Sequence, residues 1–218
     1  MNNPVIYTAI YGSYDKVVPV TPDGKYRYVC FTDKPELIEG SGWEAIYSEA
    51  ISDKPVRSAK IFKIKPHLFL ENHDVSLWVD GNVRIKLDPE PLLTHCLKTY
   101  DMAMFDHYFI NSLIGELNEC IRCRKDDRTI MEQQVKKYLS EGFPQISHNH
   151  SMCTFIARRH NSKEVIKTMD KWWEEIESNS YRDQLSFEYS CWKTNFSCGR
   201  INAKWQDIFE LDTHKGSL

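Results

Sequence analysis

Asp80-Gly81-Asn82 follows the apolar run Val75 to Val79 (VSLWV), which reads as a strand that stops abruptly. Residues two apart in an extended segment point the same way, so Asp80 and Asn82 present two oxygens to one cation. Gly81 permits a tight turn and leaves room for a close ligand. Hard divalent ions take carboxylate and amide oxygens, often with substrate phosphates completing the shell. Asp-Gly is equally a common turn dipeptide, a reading that needs no cation. Upstream, Arg57, Lys60 and Lys63 recur at every third position. On a helix they share one face, which suits either a diphosphate or plain solvation. His148 and His150 frame Asn149 in an SHNH segment and read as acceptor-sugar ligands or as ordinary loop residues.

These residues need elements that bring them together. Val5 to Tyr11, Tyr26 to Thr32 and Trp43 to Tyr47 have β-branched and aromatic strand character, as do Met102 to Phe105 and Met152 to Ala157. Ser58 to Glu71 reads as a helix kinked or broken at Pro66. Ile110 to Tyr138 reads as two helices broken near Asp126-Asp127. Asn161-Ser162 is placed to cap a helix reaching Asn179, with Glu164 in capping-box register. Residues 181–194 form one more predicted helix, and Trp205 to Leu211 a last strand. The β/α alternation predicts a mostly parallel sheet with helices on both faces, whose ligands bind beyond the carboxyl ends of the strands. Gly12, Asp33 and Asp80 all fall at or near such ends.

Composition narrows the function classes. The 218 residues are 41% hydrophobic, enough for a substantial core, and fit one domain, 1–218, whose halves 1–105 and 106–218 take the nucleotide-sugar and acceptor roles only on the family resemblance given below. A net charge of −3 argues against a dedicated nucleic-acid binder. No run approaches a membrane span, and the first residues lack the flank and core of a signal peptide, so a cytoplasmic chain with reduced thiols is expected. Cys120-x-x-Cys123 is the only tight cysteine pair of the seven and lacks the second pair of a usual zinc site. Trp172-Trp173 reads first as core packing and second as a sugar-stacking surface.

YTAIYGSYD, VCFTD, PVRSAKIFKIKPHLF, SLWVDGN, and WW followed by SYRDQLSF occur in that order between Tyr7 and Phe187. This series resembles a glycosyltransferase-like family long catalogued as a domain of unknown function, which includes plant pectin galacturonosyltransferase-like proteins. That family is similar in turn to nucleotide-sugar transferases of the GT-A type, above all the retaining galactosyltransferase and glycogenin group. The resemblance implies a GT-A-like α/β fold and transfer of a sugar from a UDP-sugar to a glycan or glycoconjugate hydroxyl, in surface polysaccharide or glycan synthesis.

It also implies roles. Asp80 and Asn82 stand at the Asp-x-Asp motif that holds Mn²⁺ or Mg²⁺ against the donor diphosphate, and Asn82 departs from it by one carboxylate. Tyr7, Ala9 and Gly12 would line the nucleotide pocket, with Asp33 near base or ribose. Arg57, Lys60 and Lys63 would neutralise the departing UDP. Asp183-Gln184 corresponds to the pair beside the anomeric carbon, and Arg182-Asp183 is alternatively just a favourable helix start. His214 would be a third metal ligand and Lys215 a phosphate contact, unless both belong to a loose tail. Two rivals remain: a hydrolase using the acidic cluster of Asp80, Asp183 and Asp33, and a non-catalytic nucleotide-sugar or glycan-binding module.

Overall fold

The computed structural model describes residues 4–144 and 150–212. Three parallel strands, β1 (Val5–Ile10), β2 (Arg27–Thr32) and β3 (Glu44–Tyr47), open the chain, with β1 between β2 and β4 (Ser76–Val79). The sheet continues through β7 (Ser151–Arg158) and β6 (Met102–Asp106) to a short edge strand, β8 (Gly199–Arg200), giving the order β3-β2-β1-β4-β7-β6-β8. β7 runs antiparallel to both its neighbours, whereas β8 pairs parallel to β6. The expected mostly parallel α/β sheet is therefore present, and both halves of the sequence contribute strands to it.

Alternation along β1 shows how the sheet is covered. Tyr7 and Ala9 enter one core with Phe62, Trp78, Ile156 and Trp172, while Ile6 and Ile10 enter another with Leu77, Phe155 and Phe209. Over the first face lie α1 (Pro55–Ile64), α5 (Lys163–Ser178) and α6 (Asp183–Thr194). The second face is covered by α2 (Glu90–Cys96) and by an antiparallel ribbon of β5 (Val83–Ile85) and β9 (Phe209–Leu211). A third apolar cluster joins α6 to α3 (Leu113–Arg122) and α4 (Arg128–Ser140), centred on Tyr138 stacked on Tyr189 at 3.6 Å. Trp172 and Trp173 are both core residues, so the stacking alternative for that pair is excluded.

The caps explain where several elements begin. Ser112 Oγ accepts from Gly115 N and Asp127 Oδ1 from Ile130 N, which starts α3 and α4 on either side of the expected break. α1 begins at Pro55, three residues before the expected start, and ends before Pro66, which opens a separate 3₁₀ turn. The Asn161–Glu164 capping box does not form. Asn161 instead donates to Glu71 O and His73 O, and Ser162 Oγ donates to Asp101, so these side chains tie neighbouring loops. The last expected strand also divides: Trp205–Ile208 make one helical turn, α7, before β9, with the Trp205 ring tilted against Phe209 at 5.2 Å.

Two local irregularities shape the rim at the carboxyl ends of β1 and β4. The β6–β7 register jumps from Met104↔Ile156 to Phe105↔Met152, so residues 153–155 of β7 have no partner on β6. The second is Gly12, which closes β1 with φ +62°, and an added Cβ there would lie 2.4 Å from Pro55 at the start of α1. Gly12 N also donates to both Asp33 carboxylate oxygens, joining the ends of β1 and β2. Gly12→Ala is expected to lower stability by roughly 1–3 kcal/mol through overpacking and backbone strain. Urea unfolding checks this, and an unchanged midpoint would contradict the account.

Candidate active site

The side chains of greatest interest converge where α1 crosses the end of β4. Trp78 and Asp80, two apart on an extended segment, point to the same side, and Trp78 Nε1 donates to Asp80 Oδ1 at 2.8 Å. Lys63 Nζ reaches the same oxygen at 3.0 Å and lies 5.4 Å from the Trp78 ring centroid. One helical turn earlier, Lys60 Nζ meets Asp183 Oδ2 at 2.6 Å, and Lys63 Nζ is also 2.6 Å from it. Asp183 is the first residue of α6, where the helix N-terminus favours a carboxylate. Two helices and one strand end are thus joined by a cluster of two ammoniums and two carboxylates.

Burial sets the balance of that cluster. The side chains of Lys63 and Asp183 are 2% and 4% exposed, against 34% for Asp80. Burial opposes ionisation of Asp183, yet Lys60, Lys63 and Arg182 together hold its carboxyl well below the usual range. At Lys63 burial is again outweighed, by Asp183 and Asp80, and the ammonium is held above its ordinary value. Lys60 touches only Asp183, so there burial prevails and its pKa is lowered. Arg182, opposed by burial, is kept charged by Asp183 and, behind it, by Cys120 and Glu116.

A cavity of about 350 Å³ opens over this cluster. Its walls come from the end of β1 (Ala9, Ile10, Tyr11), the α1 face carrying Lys60 and Lys63, the turn at Asp80-Gly81, Cys153 and Thr154 of the irregular stretch of β7, and the start of α6. Four basic residues, Lys60, Lys63, Lys125 and Arg182, line it with three acidic ones, Asp15, Asp80 and Asp183. Two polar atoms in this wall, Arg182 Nε and Gln184 Nε2, are buried without a hydrogen-bond partner among the described residues. A wall with surplus positive charge and unused donors is built to receive an anion carrying further oxygens.

Of the residues expected from the sequence, Ala9, Lys60, Lys63, Asp80, Asp183 and Gln184 line the cavity together. Others do not. Tyr7 is fully buried beneath it, its hydroxyl accepting from Arg158 and donating to Lys63 O, and burial raises its pKa. Arg57 turns away to Glu177 O and Asn179 O at the end of α5, since Pro55 starts α1 early and its third position faces that helix. Gly12 and Asp33 act on each other at the β1–β2 rim. Asn82 is buried and donates to Asp212 O at 3.0 Å while Asp212 N donates to Asn82 O, so it binds β9's exit. His150 is also buried, at 3% exposure, with Nε2 3.8 Å from Glu116 Oε2; burial lowers its pKa to about 4 and removes it from direct acceptor contact. His148, His214 and Lys215 lie outside the described residues.

The sequence reading missed Tyr14, Asp15, Lys125, Tyr181 and Arg182, all of which line the cavity. Arg182 had a signal, since it precedes Asp183-Gln184 in the same block. Lys125 comes from the α3–α4 loop and is held by Tyr181 Oη, which donates to Lys125 O at 2.5 Å, a contact no linear spacing reveals.

The described residues fit a divalent cation at one corner only. Asp80 Oδ1 is taken by Lys63 and Trp78, while among the described residues no donor reaches Oδ2. No group of three His, Cys, Asp or Glu among those residues is arranged to hold a metal.

A mostly parallel sheet with a cationic cavity at its carboxyl rim is an architecture this chain shares with solved glycosyltransferases of the GT-A fold. The chain belongs to the TOD1/MUCI70 glycosyltransferase-like domain family, whose profile matches residues 42–211. It is 28% identical over 141 residues to the probable hexosyltransferase MUCI70 of Arabidopsis thaliana, covering 60% of this chain and 24% of that protein. The chain thus spans about a quarter of that relative's length. Among solved structures, the galactosyltransferase LgtC in complex with donor and acceptor sugar analogs superposes with a TM-score of 0.51 at 12% identity, covering 90% of this chain and 72% of that one. The bifunctional glycosyltransferase WbbM gives 0.52 at 10% identity, covering 91% and 38%. These likenesses share the fold.

Asp183→Ala leaves two buried ammoniums without their counter-charge and is expected to cost about 3–5 kcal/mol in denaturant unfolding, far more than an exposed carboxylate. A second prediction concerns pH. Burial holds both His150 and His160 near a pKa of about 4, so each is neutral in the folded chain. The unfolded chain takes up these protons first, near about pH 6.5. Stability is therefore undiminished by them above that pH and falls as the pH drops toward 4. His150→Gln should flatten that part of the stability curve, measured by unfolding at a series of pH values.

Proposed function

We propose that this chain transfers a hexose from a UDP-sugar to a hydroxyl of a glycan or glycoconjugate. The single observation that carries the reading is the cavity wall in which Arg182 and Lys125 join the neutral Lys60–Lys63–Asp183–Asp80 cluster, giving a positive surplus that matches a diphosphate at the ligand rim of the sheet. In this reading the diphosphate lies against Lys60, Arg182 and the start of α6, while the uridine extends along the end of β1 past Ala9 and Tyr11. Gln184, with its uncommitted amide nitrogen, faces the sugar.

Bond breaking places negative charge on the leaving diphosphate, and fixed cations in a water-poor wall stabilise that charge without reorganising. Lys63 is fixed most firmly, held between two carboxylates and over Trp78. Asp183 acts as the positioning residue for both lysines, because its Oδ2 is already committed to them. Asp80 Oδ2 would anchor Mn²⁺ or Mg²⁺, with His214 as a further ligand, whereas Asn82 is committed to Asp212 outside the cavity. That ion would supply additional neutralisation of the diphosphate. Retention of configuration accords with the placement of Gln184, since an acceptor entering beside the diphosphate meets the face from which UDP departs. Cytoplasmic residence remains part of the proposal, and no helix among the described residues is long and apolar enough to cross a membrane.

Asp80→Ala removes one of the two carboxylates that hold the buried Lys63; because Lys63 keeps Asp183, the variant is expected to fold still, with a lowered melting temperature. Its UDP release from a panel of UDP-hexoses with added Mn²⁺ is expected to fall by about 100-fold or more, the scale of losing one electrostatic contact to the transition state. Wild-type turnover in a folded Asp80→Ala protein would overturn this assignment. Failure of UDP to raise the wild-type melting temperature, with or without Mn²⁺, would overturn the donor class.

A further inference from the structure

The strand end beside the donor cavity carries a second constellation of groups. Trp78, Ile156 and Met104 share one row across β4, β7 and β6, so Asp80 and Asp106 each stand two residues farther toward the same rim. Asp80 N donates to Thr154 O whereas Asp106 pairs with Ser151, so the irregular stretch of β7 lies between them. Immediately after Asp106 come His107, Tyr108 and Phe109. Tyr108 and Phe109 are 57% and 62% exposed, large apolar rings presented to water at a site rim.

These rings are held rather than loose. His107 N donates to His150 O at 2.7 Å, and His107 Nδ1 accepts from Ile110 N at 3.1 Å. The Tyr108 ring stacks on His107 with an interplanar angle of 7°, meets Phe109 edge-on at 4.1 Å, and leans on Trp205 at 5.7 Å. Polar groups border them. Asp106, 53% exposed, lies 3.5 Å from Arg200 Nε, and Arg200 Nη2 lies 3.1 Å from Glu188 Oε1. Glu188 also accepts from Ser151 N and Oγ, and it sits one turn after Gln184 on α6. A polar path therefore leads from Gln184 in the cavity to the aromatic rings.

The geometry points to Tyr108 and Phe109, bordered by Asp106 and Arg200, as a subsite for the sugar units of an acceptor chain that lie beyond the reacting one. A pyranose has an apolar CH face and a hydroxyl edge, and this surface offers rigid rings beside charged hydrogen-bonding groups. None of Asp106, Tyr108 and Phe109 lines the donor cavity, so this surface lies outside it and suits a unit farther along the chain. The acceptor is accordingly an oligosaccharide or polysaccharide, not a monosaccharide or a small aglycone. This inference rests on the donor-site reading above.

The test uses the full chain on a glycan array of bacterial and plant oligosaccharides, with and without UDP, while UDP affinity is measured separately by calorimetry. Wild type is expected to retain oligosaccharides in preference to their monosaccharide units. Tyr108→Ala combined with Phe109→Ala is expected to reduce that retention about tenfold or more, with UDP affinity and melting temperature unchanged and Tyr108→Phe close to wild type. A protein that binds UDP yet retains no glycan, or a double variant that retains glycans as well as wild type, overturns the subsite and leaves the donor site standing. Loss in the double variant of binding to phosphatidylcholine–phosphatidylglycerol vesicles, with glycan retention intact, also overturns it, in favour of a membrane-facing surface. Ring-dependent glycan retention in a chain that ignores UDP instead upholds the subsite and removes the donor reading.

Discussion

The site depends on a charge balance struck inside the protein. Asp183 is ionised although buried because Lys60 and Lys63 both reach its Oδ2, and Lys63 remains an ammonium because Asp80 flanks its other side. An isolated buried charge costs far more than such a domain can spare, so each member is tolerable only with the others in place. The partners come from α1, the end of β4 and the start of α6, and their mutual requirement fixes how those three elements meet. The positive surplus left in the wall is what a diphosphate would meet.

Arg158 extends the same logic into the core. Its guanidinium is fully buried beneath the site and donates to Tyr7 Oη and to the carbonyl of Lys63, with the thioether of Met169 alongside. Lys63 is thereby held at both ends, its ammonium by carboxylates and its carbonyl by an arginine from β7. A catalytic cation needs such fixity, because stabilising a leaving group without reorganisation requires the charge to be in place before the bond breaks.

Strands and helices with strong periodicity were legible: β1, β2, β4, β6 and β7 were identified, as was the break separating α3 from α4. What failed was local competition. Asn161 had a capping box in register and used its amide on two loop carbonyls instead, a choice decided by tertiary neighbours. The short elements β5, β8 and α2 carry too few residues to show a period. At the site, Lys60 and Lys63 were readable from their helical spacing and Asp80 from its place at a strand end, whereas Asp183-Gln184 stood out only through the family resemblance. Arg57 obeyed the same three-residue spacing and still faces α5, since the spacing gives a shared face only approximately and Arg57 sits in the first turn. Lys125 and Tyr181 meet across separate loops and left no trace in the linear pattern.

β7 is the one strand of the large sheet that runs against its neighbours. Its entrance, not its exit, therefore stands on the rim where the other strands end. His150 and Ser151 stand at that rim, whereas the chain leaving Arg158 starts from the opposite end of the sheet. A change at the start of β7 therefore alters the rim that carries the cavity, and a change after Arg158 alters the opposite end of the sheet.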